Sequence, residues 1–192
     1  MNKWIALLAA TALMGGCVAN DTKSASSAKA ETAKTEKAAN NDDYYEVHHE
    51  DGRVYVFDDF ATYQDFLAHG ETTFRLTRVG AGPDGKTLVF GLLKADSKNT
   101  KGGVGIGSVD MYEGRLQGAD KFYAEVIAEG RYYVFTDWKE LQTYRQTGEA
   151  TFRFTEIGAG PNGMTVVYVV TKAESKKRPD ATIAKFKSMH KL

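Results

Sequence analysis

Four arginines could form a ligand site, because they occur as two pairs at a spacing of 78 residues: Arg53 with Arg131, and Arg75 with Arg153. Glu71 and Glu149 recur at the same spacing. Matched charges can pair across neighbouring strands or bind a ligand, and surface ion pairing is the default interpretation because such pairs are common. If a binding site exists, we expect these arginines to line it, with Arg75 and Arg153 first, since arginine among aromatic residues is typical of a binding hot spot.

The histidines do not predict a metal site. His48 and His49 are adjacent, and neighbouring residues on a strand point to opposite faces. The two rings therefore cannot bind one metal ion unless the strand contains a bulge. The matched segment 126–128 reads Val-Ile-Ala. His69 lies near a helix end, where a contact with the helix dipole explains it, and His190 lies near the chain's end.

Two glycine-rich segments, 80–85 and 158–163, formally match the dinucleotide-binding pattern G-x-G-x-x-G. That pattern binds a pyrophosphate only when a helix begins at its third glycine. Here an apolar, β-branched run follows, and Pro83 removes one amide donor. Both segments are therefore interpreted as hairpin turns, and no cofactor is predicted.

No catalytic residue is predicted from the sequence. Neither G-x-S-x-G nor H-E-x-x-H occurs, and no serine has a recognisable base beside it. Asp58 and Asp59 are adjacent carboxylates, which fit a helix start better than an acid/base pair. A non-enzymatic protein is the favoured interpretation.

These residues lie within a long internal repeat. Residues 44–98 align without a gap to 122–176, with 25 identities over 55 positions. Such a match indicates a tandem duplication, and two copies are too few for a solenoid. We therefore expect a pseudo-symmetric pair.

Each copy is predicted to fold as ββαββ, which gives an α+β protein. In the first copy, runs 45–49 and 53–57 flank a turn and predict a hairpin. The following helix should begin after an N-cap at Asp58 and stop at Gly70. Strands are expected over 73–79 and 87–94, joined by the glycine-rich turn.

The helix of each copy should bury one face. In the first copy that face is expected to hold Phe60, Tyr63 and Leu67. In the second copy the N-cap is expected at Thr136 and the stop at Gly148, with a buried face made by Trp138, Leu141 and Tyr144.

The last strand of each copy does not alternate between polar and apolar residues, which indicates that both of its faces are covered. The helix of a copy can cover only one face of its strands. The other face could be buried by the other copy or by the segments that follow the copies, 99–121 and 177–192. We favour the two copies packing together. Gly102, Gly103, Gly105 and Gly107 suggest a flexible joint, and Ile183, Phe186 and Met189 predict a short amphipathic helix near the end.

The N-terminus has the pattern of a secretory leader. One charge at Lys3 precedes the apolar run 4–14, which is too short to span a bilayer. Two glycines and the only cysteine of the chain then follow, so that residues 13–17 read Leu-Met-Gly-Gly-Cys. This segment resembles the lipobox of bacterial lipoproteins. An ordinary signal peptide with a chance cysteine is the alternative.

The resemblance implies a lipid anchor. Cleavage would follow Gly16, Cys17 would carry a diacylglyceryl thioether, and its new amino group would be acylated. Val18 stands where an aspartate would favour retention in the inner membrane, so the implied location is the outer membrane. The segment 18–43 is polar and almost without bulky apolar residues, which is typical of a flexible tether. The predicted organisation is leader 1–16, lipidated tether 17–43, repeat 44–98, connector 99–121, repeat 122–176 and tail 177–192.

Composition excludes several classes of protein. Lys+Arg and Asp+Glu both total 25, so no basic excess exists for nucleic-acid binding. One cysteine excludes an intramolecular disulfide. The favoured hypothesis is a non-enzymatic envelope lipoprotein that binds another protein or an envelope polymer. A tethered hydrolase, with His48 or His69 as the nearest candidates, and a small-ligand sensor are the alternatives.

Overall fold

The computed structural model describes residues 39–98 and 101–192, and within them it confirms the predicted α+β class. The fold is one mixed sheet with four α-helices. The strands are β1 Asp43–His48, β2 Arg53–Phe57, β3 Arg75–Arg78, β4 Thr87–Gly91, β5 Tyr123–Ala128, β6 Arg131–Phe135, β7 Arg153–Glu156 and β8 Thr165–Val169. The helices are α1 Phe60–His69, α2 Gly107–Tyr112, α3 Trp138–Thr147 and α4 Asp180–His190. Among these residues no helix is both long and apolar enough to cross a bilayer.

The eight strands form one sheet in the order β3-β4-β2-β1-β5-β6-β8-β7. The two central strands, β1 and β5, are parallel, with Tyr45 opposite Glu125. The β2–β4 and β6–β8 pairs are also parallel, whereas each chain-adjacent pair is antiparallel. The short strands β3 and β7 therefore form the two edges.

Helices cover both faces of this sheet. On one face, Tyr63 and Phe66 of α1 and Phe186 of α4 join the same apolar core. On the other, Val109 of α2 and Leu141 of α3 join a second core. Helices α2 and α4 belong to the segments that follow each predicted repeat. These segments bury the second face, in place of the expected burial against the other copy, because the two halves meet edge to edge through β1 and β5.

The N-caps of α1 and α3 lie one residue later than predicted. Asp59, rather than Asp58, accepts the Thr62 amide at 2.8 Å. Asp137, rather than Thr136, accepts the Glu140 amide at 3.0 Å. The predicted stops are confirmed, since the glycines that follow the two helices both have φ 73°, a left-handed conformation that favours glycine.

The buried face of α1 also differs from the prediction. Phe66 is buried with Tyr63, whereas Leu67 is 37% exposed. Phe66 and Leu67 lie about 100° apart around the helix, because an α-helix has about 3.6 residues per turn, so the buried face is turned toward Phe66 and away from Leu67. In α3 the prediction holds, since Leu141 and Tyr144 are buried and Trp138 packs against the core.

The glycine-rich segments are turns, as predicted. The strands on either side of residues 79–86 pair antiparallel, with Arg78 opposite Leu88. Asp84 has φ 53° and Asn162, at the matched position, has φ 54°. Asp and Asn tolerate this left-handed conformation better than other side chains, which explains their place in the two turns.

The first hairpin of each half has a different loop, so the gapless alignment fails in the first strand. The β1–β2 loop spans residues 50–52, whereas a two-residue turn, Glu129-Gly130, joins β5 to β6. Tyr45 lies opposite Phe57, but Ala124 lies opposite Phe135. One residue is therefore extra in the first loop.

Two predicted segments contain more structure than expected. Asn40, near the end of the predicted tether, donates its side-chain amide to the Asp58 carbonyl, and Asp43 already belongs to β1. The predicted connector contains α2, which packs against β2 and β4. The predicted C-terminal helix is α4, with Ile183 and Phe186 buried. The leader, Gly16, Cys17 and most of the tether lie outside the described residues.

Candidate functional site

The four predicted arginines line two grooves rather than one site. Arg53 of β2 and Arg75 of edge strand β3 border a groove of about 440 Å³. Its floor includes the buried residues Tyr55 and Val89, because alternate residues of a strand point to the same face of the sheet. Glu71, just after α1, borders the same groove.

Arg53 is held by an aspartate from the adjacent hairpin loop. Its Nη1 lies 3.1 Å from Oδ2 of Asp51, and the Tyr55 hydroxyl donates to the same oxygen at 3.1 Å. Burial opposes ionisation of Asp51, but the hydrogen bonds from the Tyr55 hydroxyl and the Arg53 amide lower the pKa of Asp51 below its ordinary value. The first groove therefore contains its own carboxylate beside Arg53.

Arg131 and Arg153 line a second groove, of about 800 Å³, in the other half of the sheet. Tyr133 and Val167 form part of its floor, and both belong to the core that carries α2 and α3. Tyr55 and Val89 belong to the opposite core. The two grooves thus open on opposite faces of the sheet, one near each edge.

The arginines of the second groove have no acidic partner among the described residues. Arg153 donates from Nη1 to the Ala150 carbonyl at 2.7 Å, a contact that orients it without neutralising its charge. Glu129 and Glu149 also line this groove, and neither forms an ion pair with Arg131 or Arg153. Ion pairing is the default expectation for the matched charges, but among the described residues none of Arg75, Arg131 and Arg153 forms an ion pair. Of the four arginines only Arg53 is paired, and its partner is Asp51.

A buried glutamate lies on each central strand, and these two residues were not singled out from the sequence. Glu46 of β1 is fully buried and accepts from the Tyr44 hydroxyl and from His48 Nε2 at 2.6 Å. Arg145 of α3 approaches it at 3.2 Å through Nε. Burial raises the pKa of Glu46, but the His48 hydrogen bond and the Arg145 charge outweigh it, so the pKa lies below its ordinary value.

Glu125 of β5 is equally buried on the opposite face. It accepts from the Tyr123 hydroxyl at 2.6 Å, from Tyr63 of α1 at 3.0 Å and from His190 of α4 at 3.0 Å. Burial and the Glu125 charge raise the pKa of Tyr63 and Tyr123 well above the ordinary value for tyrosine. Both glutamates join helices to the sheet from inside the core, so they stabilise the fold rather than face a ligand.

A signal for these glutamates does exist in the sequence. With one gap in the first hairpin loop, Tyr44, Glu46 and Val47 align with Tyr123, Glu125 and Val126. The gapless alignment hid this match. Asp51 lies two residues before Arg53 just as Glu129 lies two residues before Arg131, so a hairpin carboxylate occurs at both places.

The histidines are separated as expected. His48 contacts Glu46, whereas His49 packs edge-on against Tyr55 and Phe66 on the other face. His69 bonds to the Asp65 carbonyl within α1 at 2.9 Å. Within residues 39–98 and 101–192, no group of three potential ligands could hold a metal ion.

Comparison of the chain with protein-family models, with curated proteins and with solved structures found no match.

Proposed function

We propose that this chain is a lipid-anchored lipoprotein of the bacterial envelope, held in the outer membrane through Cys17, whose folded part binds another protein or an envelope polymer without catalysing a reaction. The observation that carries the binding function is the pair of grooves. Each is lined by two arginines and a buried tyrosine, the residue types that dominate binding hot spots.

We further propose that the two halves are a tandem ββαββ duplication arranged as a pseudo-symmetric pair. Matched strands occupy mirrored places in the strand order, and α1 and α3 lie on opposite faces. Parallel pairing of β1 with β5 fits a two-fold axis along the strands, because such a rotation preserves strand direction and exchanges the faces of the sheet. The duplication would account for two similar grooves.

Crosslinking in living cells, followed by mass spectrometry, tests the binding function. The native chain is compared with a double variant, Arg131→Gln with Arg153→Gln, and with the unlipidated variant Cys17→Ser. We expect a partner that is enriched with the native chain and lost with the double variant. Equal recovery of every crosslinked species from the native chain and the double variant would refute the assignment of the second groove.

The lipid anchor has a separate test. Intact-mass analysis of the protein purified from membranes should show a chain that begins at Cys17 and carries acyl groups, since several acyl chains are needed for stable attachment. A free thiol at Cys17, or a retained leader, would contradict the proposed anchor. Either result would leave the two grooves to be judged by the crosslinking experiment alone.

A tethered hydrolase is the second candidate, and one contact favours it. His48 is a quarter exposed and its Nε2 lies 2.6 Å from the buried Glu46, which is how a carboxylate orients a catalytic imidazole. His48→Ala should abolish complementation of a deletion strain if this histidine is a catalytic base. Full complementation by His48→Ala would remove this candidate.

A further inference from the structure

We propose that the two grooves are equivalent binding sites, and that each takes a peptide segment of a partner protein that carries a positive and a negative charge close together. One chain then holds two such segments. This inference rests on the proposed binding function and on the proposed duplication, and it names the number of sites and the chemistry of their ligand.

The two grooves are lined by matched residues. Eleven residues line the first groove, and the residue 78 positions after each of them lines the second groove. Eight of these eleven pairs are identical, including the arginines, the glutamates after the helices and the tyrosines of the floor. Helices α1 and α3 occupy matched places in the two halves, yet Gln64 and Gln142 form the only identical pair among their ten positions. Identity between the halves is therefore concentrated in the grooves, as expected of residues that contact a ligand.

On the two edge strands, only the side that faces a groove is the same in both halves. Arg75 and Thr77 recur as Arg153 and Thr155, and all four residues are exposed. The alternate positions of the same strands point the other way and differ between the halves: Leu76 and Arg78 in β3, Phe154 and Glu156 in β7. Exposed positions usually tolerate substitution with little change in stability, so packing does not explain why they are the identical ones. A ligand in the groove does explain it.

Each groove offers a carboxylate and a guanidinium that are not bonded to each other. Glu71 and Arg75 are exposed and line the first groove, and among the described residues neither forms an ion pair. The same holds for Glu149 and Arg153 in the second groove. A ligand with a single charge is attracted by one of these groups and repelled by the other, whereas a ligand with both charges can pair with both. The grooves therefore favour a ligand of mixed charge.

The backbone fixes these charged residues in the same way in both halves. Glu71 and Glu149 come directly after the glycines that end α1 and α3, and each glycine donates its amide to a carbonyl of its helix at 2.7 Å. Arg75 and Arg153 are the first residues of the edge strands. Backbone positions that are fixed before binding reduce the entropy lost when a ligand binds. The carboxylate and the guanidinium are therefore presented by the same backbone arrangement in each groove.

The size and lining of the grooves suit a short peptide. Their volumes, about 440 and about 800 Å³, lie within the range of about 300–1,000 Å³ that is usual for ligand pockets. Each groove crosses three neighbouring strands, which span about 10 Å at the usual spacing, the length of about three extended residues. Thr77 and Thr87, with Thr155 and Thr165 in the second groove, supply hydroxyl groups that can bond to a peptide backbone. A segment of about three residues with opposite charges at its ends fits this lining.

The position of the grooves allows both to be occupied at once. Tyr55 and Val89 on the floor of the first groove belong to the core that carries α1, whereas Tyr133 and Val167 belong to the core that carries α3. The grooves therefore open on opposite faces, and they lie beside opposite edges of the sheet. A ligand in one groove does not obstruct the other, so one chain can join two partner segments.

The binding experiment uses the full chain, purified from membranes in detergent micelles, and a fluorescent peptide in which Lys-Gly-Asp is flanked by glycines. Two control peptides each keep one charge, because asparagine replaces the aspartate in one and glutamine replaces the lysine in the other. Equilibrium dialysis measures the peptide bound per chain at saturation. We expect two mixed-charge peptides bound per chain, binding of each control peptide that is about tenfold weaker, and weakening of all binding by salt.

Matched variants test the two grooves separately. Glu71→Gln and Glu149→Gln each remove one carboxylate and keep the size of the side chain. Loss of a hydrogen bond between charged groups should weaken binding to the altered groove by about tenfold. At a peptide concentration just sufficient to fill the native chain, each single variant should bind one peptide and the double variant almost none. Asp120→Asn, which neutralises an exposed carboxylate outside both grooves, is the control and should still bind two.

Several outcomes would overturn the inference. They are fewer than two peptides bound per native chain, equal binding of either control peptide, or an unchanged stoichiometry in the double variant. Tighter binding of maltotetraose, an uncharged oligosaccharide, than of the mixed-charge peptide would overturn the choice of a peptide ligand. If crosslinking nevertheless recovers a partner that is lost with Arg131→Gln and Arg153→Gln, the proposed binding function stands and only this inference fails.

Discussion

Glu46 and Glu125 lie on neighbouring central strands but on opposite faces of the sheet, and each accepts a hydrogen bond from the tyrosine two residues before it. Each glutamate also contacts a histidine ring and at least one side chain that belongs to a helix. A buried carboxylate is stable only when its oxygens are satisfied. The two networks therefore determine how the helices on both faces dock against the centre of the sheet.

The Glu125 network predicts a large loss of stability. Glu125→Ala leaves the donors of Tyr63, Tyr123 and His190 buried without an acceptor, so we expect the free energy of unfolding to fall by about 3 kcal/mol or more. Urea unfolding measures this change. Glu149→Ala is the matched control, because that exposed side chain forms no hydrogen bond or ion pair in the described structure and its loss should change stability by less than about 0.5 kcal/mol. Equal midpoints for the two variants would contradict the prediction.

Asp58 predicts a dependence of stability on pH. Burial and the Asp96 charge raise the pKa of Asp58 to about 6, from about 3.9 in an unfolded chain. The folded state then binds more protons than the unfolded state between these values. Stability should fall as pH rises from about 4 to about 6, by about 2–3 kcal/mol. Asp58→Asn removes this contribution.

The measurement is the free energy of unfolding of the native chain and of Asp58→Asn across this pH interval. The variant should become progressively more stable than the native chain as pH rises, with the difference levelling off above about 6. A constant difference across the interval would show that Asp58 does not titrate as expected.

The N-caps predict a matched pair of effects. Asp59→Ala and Asp137→Ala each remove an acceptor for an amide in the first turn of a helix, so each should reduce stability by about 1 kcal/mol. Thr136→Ala, at the position expected from the sequence to cap α3, should have a smaller effect. Thermal unfolding separates the three variants, and a larger effect of Thr136→Ala would place the cap where the sequence suggested.

The face of α1 predicts opposite outcomes for adjacent residues. Phe66 is 2% exposed and its ring centroid lies 4.3 Å from that of Tyr55, so Phe66→Ala should cost about 3–5 kcal/mol. Leu67→Ala should cost less than about 1 kcal/mol, because Leu67 already contacts solvent. Chemical denaturation of both variants tests the assignment. A greater loss with Leu67→Ala would reverse the face of the helix.

Local features of this protein were predictable from the sequence alone. The glycine turns, the helix stops at Gly70 and Gly148 and the strand pairs around them depend on backbone preferences within a few residues. The amphipathic helix at the end depends on the spacing of Ile183 and Phe186. The α+β class follows from these elements.

The tertiary structure decided how these elements combine. Pairing of β1 with β5 joins segments about 80 residues apart, and no local pattern specifies such a contact. The pairing places the two halves edge to edge. In each half, α1 or α3 covers one face of the strands, and α2 or α4 covers the other. It also buries Glu46 and Glu125, whose partners come from distant helices. Arg53 pairs with Asp51, whereas Arg131 forms no ion pair with Glu129. Each acidic residue lies two positions before its arginine, so the difference depends on the conformation of the hairpin loop rather than on residue type.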